Sequence, residues 1–385
     1  MIHVLASSIP KILFFISEDW YFCSHRLPIA RAARDAGFEV AVACRVREDG
    51  EVITREGFRL IPIPFRRGNI NPFQDIASLA TLVRIYGTEC PDIVHHVAMK
   101  PVVFGSLAAR MTGIPFQVNA LAGLGYIFSS TDVRAKLLKP FIVTAFRALL
   151  NHGSCKVILQ NPNDIETLTG TGVLSRDKIA LIRGSGVNLD VFHPTLEPPG
   201  KPIVILASRM LRDKGVVEFV ETARLLLHEG SSARFALVGD ADPDNPSSLS
   251  VSQLREWHDS GFVEWWGYRK DMPQVFAQSH IVCLPSYREG LPKVLIEAAA
   301  CGRPIVATDV PGCREIVRQD ENGILVPVRK ADALARALKK LIDDPGLRQK
   351  MGERGRTIAE KEFSEEKIVL ETLSVYRELL QSRKP

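Results

Sequence analysis

The chain has 385 residues, of which 46% are hydrophobic and 24% are charged, and its formal net charge is +5 with a pI near 8.8. This length predicts two domains, since roughly 100–200 residues make a typical domain. The composition excludes disordered and fibrous proteins, and the mild basicity falls short of the clustered charge of nucleic-acid binders, so we expect phosphate-bearing partners other than nucleic acid.

Short apolar segments alternate with helix-period segments along the whole chain. In the first half we predict strands at 11–17, 39–45, 92–97, 115–121 and 156–161, separated by helices that include 27–36, 102–111 and 133–151. In the second half we predict strands at 202–208, 233–239, 281–285, 304–308 and 323–327. This alternation predicts the α/β class, with parallel sheets covered by helices on both faces.

A proline-rich stretch, residues 193–202, interrupts this alternation and reads as a linker. The sequence therefore predicts two doubly wound, Rossmann-like domains, residues 1–190 and 191–364, which face each other across a cleft where ligands bind beyond the strand ends. The C-terminal segment 365–385 is amphipathic, and we expect a helix that packs back onto the body.

The cysteines and the N-terminus indicate a cytoplasmic protein. The seven cysteines are scattered without a C-x-x-C pair, which favours reduced thiols over disulfides or a zinc site. The apolar run 11–17 is ended by Glu18 and Asp19, too early for a signal peptide. No apolar stretch approaches the ~20 residues that span a bilayer.

Residues 285–302 follow a predicted strand and open a helix, with Pro292 suited to the first helical turn. Free N–H groups at such a helix start attract an anion such as diphosphate. Glu289 precedes the helix, and Glu297 lies roughly 7–8 Å beyond Pro292 at ~1.5 Å per residue. Carboxylates spaced in this way can hold separate hydroxyl groups of one long ligand. Alone, the pattern is better explained by an ordinary helix with a solvated N-terminal carboxylate.

A second informative stretch, residues 208–215, begins where the predicted strand 202–208 ends. It contains Arg209 and Lys214, which could clamp a diphosphate, the arginine through its planar fork and the lysine as a point charge. A solvated loop is the alternative interpretation.

Taken together, these residues resemble the family 4 glycosyltransferases, a group of retaining enzymes with the GT-B fold. The shared features are the Glu-x7-Glu motif of Glu289 and Glu297, the pairing of Arg209 with Lys214, and the turn 267–271. Segments 185–194, 307–315 and 322–327 agree as well. The resemblance covers essentially the whole C-terminal half in the right order, so it is far more specific than any one motif.

The resemblance implies a site for a nucleotide-sugar donor. Arg209 and Lys214 would hold the donor diphosphate and neutralise the leaving nucleotide. Glu289, with the backbone of Gly290 and Leu291, would meet the sugar hydroxyls and the distal phosphate. Breaking the glycosyl–phosphate bond develops negative charge on the diphosphate, and preorganised cations are the largest expected source of its stabilisation. These implied roles make Glu289, Arg209 and Lys214 the expected catalytic residues.

The remaining donor contacts are also implied by the resemblance. Glu297 would accept hydrogen bonds from the ribose hydroxyls. The turn that faces the nucleobase would consist of Gly267, Tyr268 and Arg269. Asp240 and Asp242 have the D-x-D spacing of metal-dependent sugar transferases, but they follow a strand that ends at Gly239, so we interpret them as a solvated loop. The resemblance also argues against a metal, because Arg209 and Lys214 already take that role. We therefore expect no metal and no cofactor.

The N-terminal half resembles one subgroup of that family, which builds bacterial surface polysaccharides on undecaprenyl-diphosphate-linked acceptors. The segments that carry this resemblance are 24–30, 36–40, 109–115 and 123–128. We expect acceptor contacts from His25, Arg26 and Gly123. A buried or capping role for the histidine is an equal alternative on general grounds.

The sequence departs from the family pattern at Ala122. Many relatives have a histidine at this position, before the glycine that corresponds to Gly123. His95 or His96, near the end of a predicted strand, could substitute for it, although we expect a structural role for both. Some members of the polysaccharide subgroup also lack that histidine, so its absence does not imply loss of activity.

The predicted helix 133–151 is apolar along one face and has no acidic residue after Asp132. Its basic side chains are Arg134, Lys136, Lys139 and Arg147. That pattern is typical of a helix that lies on an anionic membrane, near a lipid-linked acceptor. Packing against the protein core is an equal alternative.

We therefore expect a retaining hexosyltransferase that transfers a hexose or N-acetylhexosamine from a nucleotide diphosphate sugar, UDP-linked, to a lipid-linked glycan. The expected location is peripheral, at the cytoplasmic face of the inner membrane. Two alternatives stay open: a nucleotide-sugar epimerase with the GT-B fold, and a non-catalytic scaffold of a polysaccharide assembly complex.

Overall fold

The computed structural model describes residues 9–65, 72–124, 128 and 133–382. They divide into two compact units: the first contains the described residues up to Ser185 and those from Ile368 onward, and the second contains Gly186–Lys367. Each unit is built on its own parallel sheet. The predicted α/β class is therefore confirmed.

Within the described residues, seven strands form the sheet of the first unit: β1 Lys11–Glu18, β2 Glu39–Arg45, β3 Arg59–Pro62, β4 Ile93–Val97, β5 Phe116–Leu121, β6 Cys155–Leu159 and β7 Ile179–Leu181. They pair in the order β3-β2-β1-β4-β5-β6-β7. The helices of this unit that precede Ser185 are α1 Asp19–His25, α2 Leu27–Asp35, α3 Gly50–Arg55, α4 Pro72–Glu89, α5 Met99–Thr112, α6 Val133–Leu150 and α7 Pro162–Gly170. The central strand β1 is buried along nearly its whole length, as a parallel strand covered on both faces requires.

The second unit has six strands: β8 Ile203–Ala207, β9 Arg234–Val238, β10 Glu264–Gly267, β11 Ile281–Leu284, β12 Ile305–Thr308 and β13 Gly323–Val326. Their order is β10-β9-β8-β11-β12-β13, so the direction of winding reverses between β8 and β11. The helices are α8 Val216–His228, α9 Val251–Asp259, α10 Met272–Ala277, α11 Lys293–Ala300, α12 Pro311–Arg314, α13 Ala331–Asp343 and α14 Pro345–Glu362. In open α/β sheets, such a reversal is where ligands bind.

Three strands are absent from the sequence prediction, namely β3, β7 and β10. All three lie at an edge of their sheet, and each is only partly buried. An edge strand pairs on one side only and buries less apolar surface, so its hydrophobic pattern is weak. The strands that the sequence analysis identified include every central one.

The last helix, α15 Glu365–Gln381, packs into the first unit although the preceding residues belong to the second. Its buried residues Ile368, Leu373 and Tyr376 lie in the same apolar cluster as Phe14 and Phe22. The apolar face of α15 therefore completes the core of the N-terminal unit, as the amphipathic pattern predicted.

The proline-rich stretch 193–202 is held against the second unit instead of forming a free linker. Glu197 accepts two hydrogen bonds of 2.8 Å from Arg348, Arg303 donates to Thr195 at 2.6 Å, and the His280 Nε2 atom lies 3.0 Å from the carbonyl oxygen of Pro198. Prolines lack an N–H group, so an extended proline-rich segment needs few backbone partners and can be fixed by side chains of its neighbours.

Candidate active site

Two loops meet at the point where the second sheet reverses its winding. The loop after β8, residues 208–215, carries Arg209 and Lys214, and the loop after β11, residues 285–292, carries Glu289. Because β8 and β11 pair directly and in parallel, the two loops lie side by side at the carboxyl ends of these strands. The sequence predicted each loop separately, and the sheet order brings them together.

The two loops are joined through their backbones. Gly215 has a φ of 72°, and a Cβ atom there would lie 2.1 Å from the carbonyl oxygen of Pro285, so only glycine allows this approach. The N–H of Tyr287 donates to the carbonyl oxygen of Asp213 at 2.8 Å. The Asp213 carboxylate also binds Arg288 at 2.7 Å. The cation-bearing loop and the Glu289 loop are therefore one connected structure.

Lys214 and Glu289 form an ion pair across the two loops. The Lys214 Nζ atom lies 2.5 Å from the Glu289 Oε1 atom, and the two side chains are 22% and 10% exposed. Ion pairs this sheltered are screened less by salt than exposed pairs. The sequence analysis assigned both residues to the donor site, but it did not predict that they would contact each other.

Glu297 lies on α11, which begins at Lys293 with Pro292 at the N-cap position and not within the first turn as predicted. The Lys293 Nζ atom lies 3.6 Å from the Glu297 Oε1 atom. Burial raises the pKa of Glu297, and the Lys293 charge opposes that shift. A sheltered carboxylate in this position is suited to accept hydrogen bonds from hydroxyl groups.

Gly312 packs directly against the backbone of the Glu289 loop, a contact that the sequence analysis missed. A Cβ atom at Gly312 would lie 2.5 Å from the carbonyl oxygen of Gly290 and 2.6 Å from that of Glu289. The short helix α12 can therefore pack against this peptide only because residue 312 has no side chain. The sequence analysis included Gly312 in the family-like segment 307–315 but gave it no role of its own.

Three further side chains that the sequence analysis missed hold the same loop. The Tyr287 hydroxyl donates to the Glu218 Oε1 atom at 2.6 Å, and the Arg329 guanidinium carbon lies 4.4 Å from the centre of the Tyr287 ring. Burial, followed by the nearby Glu218, raises the pKa of Tyr287 to about 12. Glu218 is visible in the sequence only as an acidic residue shortly after the cation loop.

The turn predicted to face a nucleobase lies at the end of β10, which is two strands from β8. Gly267 has a φ of 68°, and its carbonyl oxygen accepts a hydrogen bond of 2.7 Å from the N–H of Gly239. Tyr268 is 66% exposed. The Arg269 guanidinium is bound by the Asp271 carboxylate, with an Nε–Oδ1 distance of 2.7 Å. The aromatic ring of Tyr268 is thus the accessible group of this turn.

The D-x-D segment is engaged by a predicted donor-binding residue. The Arg209 Nη1 atom lies 2.6 Å from the Asp242 Oδ2 atom. Asp242 lies in a loop and its side chain is 26% exposed, as expected of a solvated loop, but the carboxylate is paired with Arg209, which the sequence analysis did not predict. In the part of the chain that the structure describes, no group of three or more His, Cys, Asp or Glu side chains is arranged to hold a metal ion.

The predicted acceptor residues lie in the first unit. His25 ends α1, stacks on Tyr21 with ring centres 4.2 Å apart, and its Nδ1 atom lies 2.7 Å from the Ser24 hydroxyl. Arg26 is 3% exposed. Gly123 follows β5 with a φ of 116°. These positions follow β1 and β5, which are separated in the sheet by β4. Of the motif 123–128, residues 125–127 lie outside the described residues.

His95 and His96 are buried in β4 and have structural contacts. His96 is bonded through both ring nitrogens, to the Tyr86 hydroxyl at 2.9 Å and the Asn119 Oδ1 atom at 2.7 Å. The His95 Nδ1 atom lies 2.5 Å from the Tyr376 hydroxyl. Burial lowers the pKa of His96 to about 4, and burial together with the Arg26 charge holds the pKa of His95 well below its usual value. Both are neutral core residues, which fits the expected structural role.

The basic helix α6 presents two large apolar side chains to its surroundings. Leu137 is 66% exposed, and Phe141, one turn later, is 75% exposed. Arg147 donates instead to the carbonyl oxygens of Thr171 and Gly172, at 2.7 and 3.1 Å. The side chains of residues 134 and 136 lie outside the described part of the chain. No helix in the described ranges is both long and apolar enough to cross a membrane.

Comparison with known proteins identifies the family. The family described as "Glycosyl transferases group 1" matches residues 190–358, and "Glycosyl transferase 4-like" matches residues 11–161. The N,N'-diacetylbacillosaminyl-diphospho-undecaprenol alpha-1,3-N-acetylgalactosaminyltransferase of Campylobacter jejuni is 30% identical over 93% of this chain and 96% of that enzyme.

Two solved structures share the fold. Sucrose-phosphate synthase from Thermosynechococcus elongatus superposes with a TM-score of 0.80 at 21% identity, over 97% of this chain and all of that one. HepE from Anabaena in complex with UDP gives a TM-score of 0.74 at 20% identity, over 96% of this chain and 100% of that one. The sheet order, the joined cation and carboxylate loops and these matches agree, and the chain belongs to the family 4 glycosyltransferases, with the GT-B fold.

Proposed function

We propose that this glycosyltransferase moves a hexose or N-acetylhexosamine from a UDP-linked donor to an undecaprenyl-diphosphate-linked glycan, with retention of configuration. The glycan would belong to a bacterial surface polysaccharide or a glycoprotein. The observation that carries the proposal is the ion pair between Lys214 and Glu289 at the reversal between β8 and β11. A cation and a carboxylate joined in this place suit a ligand that carries both phosphates and hydroxyl groups.

Stabilisation of the leaving group is the first task in this proposal. Transfer breaks the bond between the sugar C1 atom and the distal phosphate oxygen, and the electron pair of that bond stays on the diphosphate. Arg209 and Lys214 lie on one loop that is fixed against the Glu289 loop, so their charges are held in place before the reaction begins. Fixed charges lower the barrier because they need no reorganisation when the new charge appears.

Orientation of the donor is the second task. Glu289 would accept hydrogen bonds from sugar hydroxyls, while the N–H groups of Gly290 and Leu291 would meet the distal phosphate. Glu297, sheltered on α11, would accept from the ribose hydroxyls. Interactions at several points of one long substrate hold the reacting bond in place and lower the entropy lost in the transition state.

The choice of UDP rests on the comparisons and on the turn after β10. HepE, which shares the fold, was solved with UDP. The exposed ring of Tyr268, at the end of β10 in the same sheet as the cation loop, offers a flat surface for a nucleobase. No metal is included in the proposal, because Arg209 and Lys214 supply the positive charge that a divalent ion would otherwise provide.

The acceptor assignment rests on the relative from Campylobacter jejuni, whose name describes a diphospho-undecaprenol acceptor. In this chain, the N-terminal unit would bind that acceptor through His25, Arg26 and Gly123. Arg26 supports this because its buried guanidinium donates one hydrogen bond of 3.0 Å, to the carbonyl oxygen of His25, and its Nε atom has no partner among the described residues. A buried cation with so few partners is suited to an anionic ligand.

A lipid-linked acceptor requires access to a membrane, and we place the enzyme at the cytoplasmic face of the inner membrane as a peripheral protein. The exposed Leu137 and Phe141 side chains of α6, which lie one turn apart on a helix rich in basic residues, support this location. Apolar side chains enter the acyl boundary, and neighbouring cations attract anionic headgroups.

Calorimetric titration of the full-length protein with a panel of nucleotides and nucleotide sugars, without added metal, tests the donor half of the proposal. We expect selective binding of UDP and one UDP-sugar, with loss of that binding in Lys214→Ala. Transfer to a synthetic undecaprenyl-diphosphate glycan, followed by analysis of the anomeric product, tests the acceptor and the retention. Absence of binding to every nucleotide would overturn the proposal and favour a non-catalytic scaffold.

A further inference from the structure

None of the donor-binding roles described above explains the contact between Arg209 and Asp242. The Arg209 Nη1 atom lies 2.6 Å from the Asp242 Oδ2 atom, and the two side chains are 35% and 26% exposed. Arg209 is expected to bind phosphate, yet one of its nitrogens already binds a carboxylate. Asp242 itself is not expected to touch any part of the donor.

The two segments that carry this pair are fixed against each other. Met210 donates its N–H to the carbonyl oxygen of Asp240 at 2.9 Å, and the N–H of Leu249 donates to the carbonyl oxygen of Met210 at 2.9 Å. The N–H of Asp242 donates to the Ser248 hydroxyl at 2.9 Å. Because the backbone of Asp242 is held in this way, its carboxylate stays beside Arg209, and the ion pair is part of the architecture of the loop.

The charges of the site then balance without a ligand. Lys214 is paired with Glu289, and Arg209 is paired with Asp242, so the two cations face two carboxylates. A nucleoside diphosphate brings at least two negative charges into this arrangement. It gains from the cations and is repelled by both carboxylates. Glu289 has a separate use toward sugar hydroxyls, whereas the Asp242 carboxylate contacts Arg209.

We propose that Asp242 is the resident counter-ion of Arg209. It is a positioning residue that orients the guanidinium through Nη1, leaves the other edge of the planar fork for a donor phosphate, and weakens the binding of the released nucleoside diphosphate through charge repulsion. The inference rests on the proposed donor site. Its consequence is that removal of the Asp242 charge makes the product bind more tightly, an effect that general damage to the loop does not produce.

Two variants separate charge from orientation. Asp242→Asn keeps an oxygen that can accept from Arg209 but removes the charge, and Asp242→Ala removes both. A matched control is Asp259→Asn, which removes the same charge from an exposed residue of α9 in the same unit. UDP affinity is measured by calorimetry in low and moderate salt, and UDP inhibition is measured in the transfer assay.

For Asp242→Asn we expect UDP to bind and inhibit roughly threefold to fivefold more strongly than in the unaltered protein, the upper part of the range for exposed charge pairs. The gain should shrink as salt is raised. Asp242→Ala should show lower kcat at saturating donor, because Arg209 is no longer oriented. Asp259→Asn should behave like the unaltered protein.

Unchanged or weaker UDP binding by Asp242→Asn overturns the inference while the donor site stands, provided that the unaltered protein binds UDP. Failure of the unaltered protein to bind any nucleoside diphosphate overturns the proposed function and this inference together. The two failures are therefore distinguished by the first titration.

Discussion

The Lys214 ammonium and the Glu289 carboxylate, which are 75 residues apart in the chain, lie 2.5 Å from each other. Each comes from a loop at the carboxyl end of one of two neighbouring strands, β8 and β11. Gly215 allows these loops to approach, and the backbone of Asp213 joins them. The pair therefore depends on the order of the strands in the sheet. Each of the two charged side chains also fixes the orientation of the other in the proposed donor site.

Lys214→Ala should reduce both turnover and stability. Turnover should fall by roughly 10²–10³-fold, the usual effect of removing one group that stabilises charge in a transition state. The free energy of unfolding should fall by about 1–3 kcal/mol, because the sheltered Glu289 carboxylate loses its partner. Denaturant unfolding and steady-state kinetics measure the two effects. Lys339→Ala is the control, since Lys339 forms an exposed pair with Asp343 and should change neither quantity measurably.

Glu297 should give nucleotide binding an unusual pH dependence. Burial raises its pKa above the usual value for glutamate, so the carboxylate is protonated at a higher pH than an exposed one as the solution is acidified. If the ionised form accepts from ribose, UDP affinity should fall in the pH range just above about 4.3, the ordinary pKa of glutamate. Calorimetric titrations across this range should show the decline, and Glu297→Gln should bind more weakly at neutral pH without it.

As pH falls, the contribution of Glu297 to the free energy of unfolding should change in the opposite direction to its contribution to UDP affinity. An acid whose folded pKa exceeds its unfolded pKa destabilises the fold at neutral pH, and this penalty disappears as pH falls through the folded value. Glu297→Gln should therefore be at least as stable as the unaltered protein at neutral pH, with the difference lost in acid. If the unaltered protein and Glu297→Gln have the same pH profile of UDP binding, the assignment of Glu297 to the ribose hydroxyls is contradicted.

Gly312→Ala should displace the Glu289 loop without a mutation in the loop itself. The added Cβ would lie 2.5 Å from the Gly290 carbonyl oxygen, and the nearest atoms are all backbone atoms of Glu289 and Gly290, which cannot move aside as a flexible side chain could. We expect weaker donor binding and at least about tenfold lower kcat/KM, since small misplacements of catalytic groups cost this much or more. Gly170→Ala, where a Cβ meets nothing within 4 Å, is the control. Identical kinetics in the two variants would show that the loop adapts.

The sequence correctly predicts where the two candidate donor loops lie, because each is a short segment that directly follows a central strand. Arg209, Lys214 and Glu289 each follow an apolar run, and parallel sheets place such positions at one edge. The contacts between the loops were not predictable in the same way. The pairing of Lys214 with Glu289, and of Tyr287 with Glu218, depends on β8 lying next to β11, which no local pattern encodes.

The partners of charged residues were also beyond the reach of the sequence. Asp242 reads as part of a polar loop, and its contact with Arg209 arises from hydrogen bonds between two segments about 30 residues apart. Similarly, the stretch 193–202 reads as a linker, because nothing in it shows that Arg348 will bind Glu197 from 151 residues away. Edge strands such as β10 were missed because they bury little apolar surface.

The exposed apolar pair on α6 should mediate binding to anionic membranes. Leu137→Ser with Phe141→Ser should reduce co-sedimentation with vesicles that contain phosphatidylglycerol by at least about fivefold, since each large apolar side chain contributes roughly 1.5–3 kcal/mol when buried. Replacement of Arg134, Lys136 and Lys139 should weaken the same binding in a salt-dependent way. Val191→Ser, at an exposed apolar residue of the second unit, is the control. Unchanged sedimentation of both α6 variants would remove the membrane role of this helix.

We expect Arg26 to destabilise the fold and to contribute to acceptor binding. The described chain has three buried arginines, and two are well satisfied: Arg348 binds Glu197 through two nitrogens, and Arg303 donates to the carbonyl oxygen of Phe276 and the Thr195 hydroxyl. Among the described residues, the Arg26 guanidinium donates one hydrogen bond, to the neighbouring His25 carbonyl oxygen, and its Nε atom has no partner. A buried charge with few partners destabilises a fold.

Arg26→Leu should therefore leave the free energy of unfolding unchanged or raise it by about 1–3 kcal/mol, as happens when poorly paired buried charges are replaced by apolar groups. Arg348→Leu should instead lower it, because Glu197 loses its partner. If Arg26 holds an acceptor phosphate, transfer to a diphosphate-linked acceptor should fall in Arg26→Leu while UDP affinity is retained, and Arg26→Lys should recover part of it. A loss of stability in Arg26→Leu like that in Arg348→Leu, with the KM for acceptor unchanged, would make Arg26 a structural residue, because the core would then need its charge and the acceptor would not.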